Sequence, residues 1–185
     1  MPDSEHRDGT LNVAIHSGVG LVQVVGRGTF KVGSALKHFG MAAIDTDCKC
    51  ILFDMSDCVG MDSTFMGVLA GLAAELRRRS SGDIILVNLS EKTRGLMATL
   101  GLDQIVRAYM TGSEPEDIDS LCPGEDVLQM LTVGPESREE RAKTMLEAHE
   151  NLVEANSENY PRFKDVLTFL REDVEKAAAT EAGED

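Results

Sequence analysis

The stretch Lys49-Cys-Ile-Leu-Phe-Asp-Met-Ser-Asp-Cys-Val-Gly-Met-Asp-Ser-Thr-Phe-Met-Gly67 decides how the chain is read. Cys50, Ile51, Leu52 and Phe53 form an unbroken apolar block of strand length, which suits a strand buried on both faces of a parallel or mixed sheet. Asp54 ends the block. Met55 to Gly60 lacks helical periodicity and predicts a strand-to-helix loop. Beyond it, Phe65, Val68, Leu69, Leu72, Ala73 and Leu76 recur at three- and four-residue intervals, so the spacing predicts an amphipathic helix running to Arg79. Ser63 falls at its start. A hydroxyl there can cap an unpaired backbone N–H, and the positive end of the helix dipole favours an added anion.

Upstream, Leu11, Val13 and Ile15 alternate with Asn12, Ala14 and His16, Ser17-Gly18 punctuates, and Val19 to Val25 resumes an apolar run. This predicts a β-hairpin. Gly26-Arg27-Gly28-Thr29 is expected to break the second strand, and Val32, Leu36, Phe39 and Ala43 then mark a helix from about Gly33 to Thr46. Downstream, Arg77-Arg78-Arg79 occupies the last helical turn, where cations complement the dipole, and Ser80-Ser81-Gly82 stops it. Ile84 to Val87 reads as another strand. Ser90 caps a short helix through Leu96, Met97 and Leu100, Gly101 closes it, and Ile105 to Tyr109 makes an edge strand.

The order β-β-α-β-α-β-α-β predicts an α/β domain over residues 10–110, with a mixed four- to five-stranded sheet and helices mainly on one face. Residues 111–134, acidic and carrying Pro115, Pro123 and Gly124, read as a linker with a short helical turn around Val127 to Leu131. Over 135–180 a helical hairpin is expected. Ser137-Arg-Glu-Glu140 is a capping-box pattern ahead of Ala142, Met145, Leu146, His149, Leu152 and Val153, and Pro161 opens a second helix with Phe163, Val166, Leu167, Leu170 and Val174 on one face. Each stripe must be buried against the other helix, the sheet domain, a second copy or a partner. His149 reads as a packing residue on its apolar face.

The 185 residues suffice for one core and an appendage. The net charge of −14 is uneven: residues 1–110 carry 11 Lys/Arg against 12 Asp/Glu, and residues 111–185 carry 7 against 20. Such an acidic field repels phosphate backbones, so no nucleic-acid partner is expected. No apolar run approaches the roughly 18 residues of a membrane span, and the polar start Met1 to Asp8 lacks the apolar core of a secretory signal. A cytoplasmic protein without membrane contact is the expectation. The four cysteines, Cys48, Cys50, Cys58 and Cys122, read as thiols; Cys48-Lys-Cys50 lacks the usual zinc spacing and a histidine in reach, so neither metal nor cofactor is expected.

Leu52-Phe-Asp-Met-Ser-Asp-Cys-Val-Gly-Met-Asp-Ser-Thr-Phe-Met-Gly67, followed by an amphipathic helix, a strand and Leu100-Gly-Leu-Asp103, resembles the STAS domains of bacterial anti-sigma factor antagonists. The resemblance covers about residues 10–110. It implies a STAS-like fold, a phosphoacceptor at Ser63 with Thr64 as the lesser candidate, and an anti-sigma factor that is itself a serine kinase as partner, with a phosphatase to reverse the modification. A partner-binding surface of Asp57, Asp62, Ser63, Thr64, Phe65 and Met66 follows from it, and transcription regulation by sequestering the anti-sigma factor. Phe65 departs from the family, which usually has a small residue there.

Two other functions compete. Ser63 serves only as an N-cap in a scaffold or sensor module, which acts through homodimer contacts of the C-terminal helices or through partner contacts; a small apolar ligand is open to such a module. The remaining alternative, an enzyme, is not expected: the Gly-x-Ser-x-Gly elbow is absent, and His6, His16, His38 and His149 sit in no motif that would supply a base.

Overall fold

The computed structural model describes residues 9–80, 82–121 and 127–181. The polar N-terminus, Ser81, Cys122, Pro123 and Gly124 lie outside that set. Among the described residues the elements run β1 (Thr10–His16), β2 (Val19–Gly28), α1 (Phe30–Asp45), β3 (Cys50–Asp54), β4 (Cys58–Met61), α2 (Ser63–Ser80), β5 (Asp83–Leu89), α3 (Glu91–Thr99), β6 (Arg107–Met110), α4 (Glu116–Asp119), β7 (Gln129–Met130), α5 (Arg138–Ala155) and α6 (Tyr160–Glu181).

The sheet is mixed and ordered β6-β5-β3-β2-β1-β7, with β4 pairing the far end of β2. The hairpin β1–β2 and the β1–β7 pair are antiparallel, and β3 lies parallel between β2 and β5. Its central position explains the unbroken apolar run. Ile51 and Phe53, fully buried, face the helices with Val22, Val24, Ile84 and Leu86, whereas Leu52 joins Val19, Leu21, Ile85 and Val87 on the reverse face. That reverse face is covered by the segment read as a linker, where Ile118 of α4 is 1% exposed.

The STAS-like α/β architecture agrees with the expectation, but among the described residues seven strands replace four or five. The added strands are β4 and β7. Both are too short to show a pattern, and β4 falls where a loop was expected. It pairs with Gly26, Arg27 and Gly28, so β2 continues through the glycines that were read as its end. A Cβ on Gly28 would lie 2.8 Å from the ring of Phe65, so glycine there lets α2 settle on the strand. Helix α1 likewise starts at Phe30, three residues early.

The C-terminal helices pack on the domain. α5 lies along α2 and α1, with Ala148 and Leu152 buried in the main core, and α6 packs on α5. Two glycines one turn apart on α2 permit the close approach: a Cβ on Gly67 would overlap the Ala148 carbonyl, and one on Gly71 the Asn151 side chain. The turn joining α5 to α6 is held by buried Asn159, whose amide donates to the carbonyls of Leu100 (3.0 Å) and Leu152 (2.9 Å). Among the described residues no helix is long and apolar enough to cross a membrane.

Candidate functional site

The loop entering α2 is set from the sheet. Asp54, at the end of β3, accepts the amide of Ser56 (3.0 Å) and the side-chain amide of Asn88 (2.9 Å), itself in a left-handed conformation at φ 58° where β5 bulges against β6. Gly26 donates to the Asp57 carbonyl at 3.0 Å, and Asp62 donates its amide to the Gly28 carbonyl at 2.9 Å. The chain is thereby delivered to the helix start in one register.

Asp62, not Ser63, caps the helix. Its Oδ1 accepts the Phe65 amide at 2.8 Å and its Oδ2 accepts the Phe30 amide, also at 2.8 Å, while its carbonyl takes the Met66 amide. A carboxylate does this better than a hydroxyl because it carries charge to the positive ends of two helices and has an oxygen for each. Ser63 becomes the first residue inside α2. Its hydroxyl is left free of capping.

That hydroxyl has another partner. Ser63 Oγ lies 3.0 Å from Nε2 of His149 on α5, and His149 Nδ1 lies 2.7 Å from the Met145 carbonyl. A carbonyl only accepts, so Nδ1 carries a proton; in a neutral ring Nε2 is then the acceptor for the Ser63 hydroxyl. His149 is 4% exposed, and the ring of Phe163 on α6 meets it edge-on at 4.9 Å between centroids. The packing role expected for His149 is present together with a polar contact spanning 86 residues. The expectation that no base stands near Ser63 is corrected, because α5 folds back onto α2. Sequence carried one indirect signal of that return: Gly67 and Gly71 mark a helix face that another backbone approaches.

The residues drawn together from the sequence fall at different depths. Asp57 is exposed, Asp62 and Ser63 are half-buried, and Thr64, Phe65 and Met66 are buried. Phe65 points into the core at Gly28. Thr64 meets Gly33 of α1, which Thr144 of α5 also approaches.

Around Ser63, α1 contributes the other attachments of α5. Ser34 contacts the Glu136 carboxylate and lies 3.0 Å from Thr144 Oγ1; Lys37 pairs with Glu147, and His38 Nε2 lies 3.3 Å from Glu140. Asn151 donates to the Gly67 carbonyl at 3.3 Å. The arginine run is locally paired. Arg78 and Arg79 bind Glu75, Arg79 also reaches Asp45, and Arg77 donates to the Ile105 carbonyl. Hydrogen bonds from Arg78 first, and from Arg79, hold the Glu75 carboxyl down at about 2. Burial pushes the Cys50 thiol up to about 11 and raises that of Cys58. Among the described residues, no three His, Cys, Asp or Glu side chains converge as metal ligands would.

The sequence model of the STAS domain matches residues 10–114, more than half of the chain. Among solved structures, the anti-sigma factor antagonist SpoIIAA in its unphosphorylated form, a cell fate determinant of Bacillus, is 21% identical with a TM-score of 0.51, covering 60% of this chain and 95% of that one. An anti-sigma factor antagonist from Mycobacterium paratuberculosis is 24% identical with a TM-score of 0.50, covering 62% and 92%. These similarities show the fold. No curated protein matches the sequence.

Proposed function

The chain belongs to the STAS domain family, and on that premise we propose that it is an anti-sigma factor antagonist, a protein-binding module switched by phosphorylation of Ser63. Unmodified, it sequesters an anti-sigma factor that is also a serine kinase, and so frees a sigma factor for transcription. Phosphorylation ends the binding and a phosphatase restores it. The observation that carries this reading is the division of labour at the helix start: Asp62 does the capping, which leaves the half-buried Ser63 hydroxyl without that task at the positive end of α2, its one side-chain hydrogen bond among the described residues being with His149. A phosphoserine brings about −1.5 to −2 charges, which the dipole tolerates within the domain while an acidic or apolar docked surface does not. The carboxylates of Asp57 and Asp62 in the same segment add to the repulsion. Thr64 is 3% exposed, which favours Ser63 as the acceptor.

A binding module is also the reading that suits the Ser63–His149 pair. A hydrolase would need donors for an oxyanion, and two amides of the first turn, those of Phe65 and Met66, are already taken by Asp62.

The test is binding of the partner kinase by three chains. Ser63→Ala should bind as the unmodified protein does and escape phosphorylation, and Ser63→Asp should bind at least about tenfold more weakly, a loss of about 1.4 kcal/mol. Equal affinities of the two variants would reject the switch.

A second reading has its own observation. On α6, Val166 and Phe169 are neighbours on one face, and Phe169 is 64% exposed. This favours a homodimer through the C-terminal helices in a scaffold that never takes phosphate. Sedimentation of the wild-type chain and of Phe169→Glu separates the two readings.

A further inference from the structure

We propose that His149 is the general base for phosphorylation of Ser63: the chain carries, on its own helix α5, the group that takes the serine proton as the phosphoryl group arrives. This rests on the reading of Ser63 as the phosphoacceptor and assigns part of its chemistry to a residue outside the matched STAS segment.

A buried histidine needs hydrogen-bond partners whatever its role, so burial alone assigns nothing. What points to a base is the series of contacts. Ser63 Oγ is 3.0 Å from Nε2, and Nδ1 is 2.7 Å from the Met145 carbonyl. A nucleophile, a base and a group that orients the base stand at such distances where a hydroxyl is activated. The carbonyl occupies the place that a carboxylate takes in a Ser-His-Asp triad, where the third group holds tautomer and ring orientation. Phe163 of α6 meets the ring edge-on, and its 4% exposure keeps water from competing for Nε2.

The helix start adds the electrostatics. Asp62 has relieved the Ser63 hydroxyl of capping, and the amino end of the 18-residue α2 favours the negative charge that builds on Oγ as its proton leaves. The groups that meet the His149 ring, Ser63, the Met145 carbonyl and Phe163, carry no charge. Charged groups on the surrounding helices are engaged elsewhere or exposed: Asp62 holds the Phe30 and Phe65 amides, Lys37 of α1 pairs with Glu147, Arg171 of α6 pairs with Glu150, and Arg162 and Lys164 flank Phe163 on the surface.

In the transfer, Ser63 Oγ bonds to the terminal phosphorus of a nucleoside triphosphate held by the kinase. The bond from that phosphorus to its bridging oxygen breaks, and the electron pair leaves with the nucleoside diphosphate. The hydroxyl proton passes to Nε2, so His149 ends as an imidazolium beside the new phosphate. Charge on the transferring group is the kinase's to stabilise, and the Phe65 and Met66 amides, already committed to Asp62, are not needed for it.

The experiment uses the full chain and diisopropyl fluorophosphate, so no kinase is required. Ser63 Oγ attacks the phosphorus, fluoride leaves with its electron pair, and the proton again goes to Nε2. Peptide mass analysis should find Ser63 labelled at least about tenfold faster than exposed Ser56. The rate should rise with pH through the midpoint that NMR gives for the His149 ring and then level, because only the neutral ring accepts a proton. His149→Gln keeps a polar side chain opposite the hydroxyl but cannot take its proton; labelling should fall at least about tenfold and lose that midpoint. No preference for Ser63 in the wild type, a profile without the His149 midpoint, or equal rates in a folded His149→Gln would each overturn the proposal. The wild-type profile needs no variant, so the test holds where His149→Gln does not fold. Partner binding by Ser63→Ala and Ser63→Asp decides the switch separately: a working switch with histidine-independent labelling would mean that the kinase brings its own base.

Discussion

Asp62 and Phe30, 32 residues apart, are joined by a hydrogen bond of 2.8 Å from the Phe30 amide to one carboxylate oxygen of Asp62, while the other oxygen caps its own helix. A single side chain thus starts both α1 and α2. The pair fixes how the two helices sit against α5, since neither amino end can shift without leaving an amide unpaired.

Asp62→Ala should therefore lose two caps at once. Each is worth about 1 kcal/mol, with a further cost for amides left half-buried, so a loss of about 2–3 kcal/mol is expected in urea unfolding. Asp62→Asn keeps one acceptor oxygen and should recover about half. A loss below about 0.5 kcal/mol for Asp62→Ala would mean that neither bond matters.

Gly28→Ala should destabilise by about 1–3 kcal/mol, because its Cβ would stand 2.8 Å from the Phe65 ring in a closed core. The penalty should largely vanish in a Phe65→Leu background. A double-mutant cycle measures this, and additive effects would show that the two positions do not press on each other.

The carboxyl of Glu75, held at about 2 chiefly by Arg78, has a folded value below its unfolded one. Its contribution to stability is present above about pH 4.5 and is lost as pH falls toward about 2. Carboxyl NMR should place its midpoint near the low end of that range and move it upward with added salt, because the pair is partly open to solvent. Stability of Glu75→Gln should change less over the same interval. An ordinary glutamate midpoint would contradict the ion pairing.

Cys50, raised to about 11 mainly by burial, should be largely protonated at pH 8. Alkylation by iodoacetamide, followed by peptide mass analysis, should be slow there and should rise steadily toward pH 11. Fast labelling at pH 8 would contradict the burial of the strand start.

The sheet's middle was legible because physics repeats along it. Ile51, Leu52 and Phe53 had to be apolar on both faces, and the three- and four-residue spacing from Phe65 to Leu76 could only bury one side of a helix. The strand β4 escaped notice because its four residues pair with a glycine-bearing end of β2 and show no alternation. At the site, the helix start was readable but the division between Asp62 and Ser63 was not, since both residues suit a cap and only the approach of Phe30 decides. The Ser63–His149 contact joins residues 86 apart through the packing of a helix whose apolar stripe announces burial without naming its counterpart.

The small helix α4 carries a practical lesson for anyone trimming this protein. The family match stops at residue 114, yet Ile118, just past it, is the plug over the apolar back of the sheet. A fragment cut at the conventional limit would leave Leu21, Leu52, Ile85 and Val87 wet on that side, and should come out of the cell sticky and prone to clump.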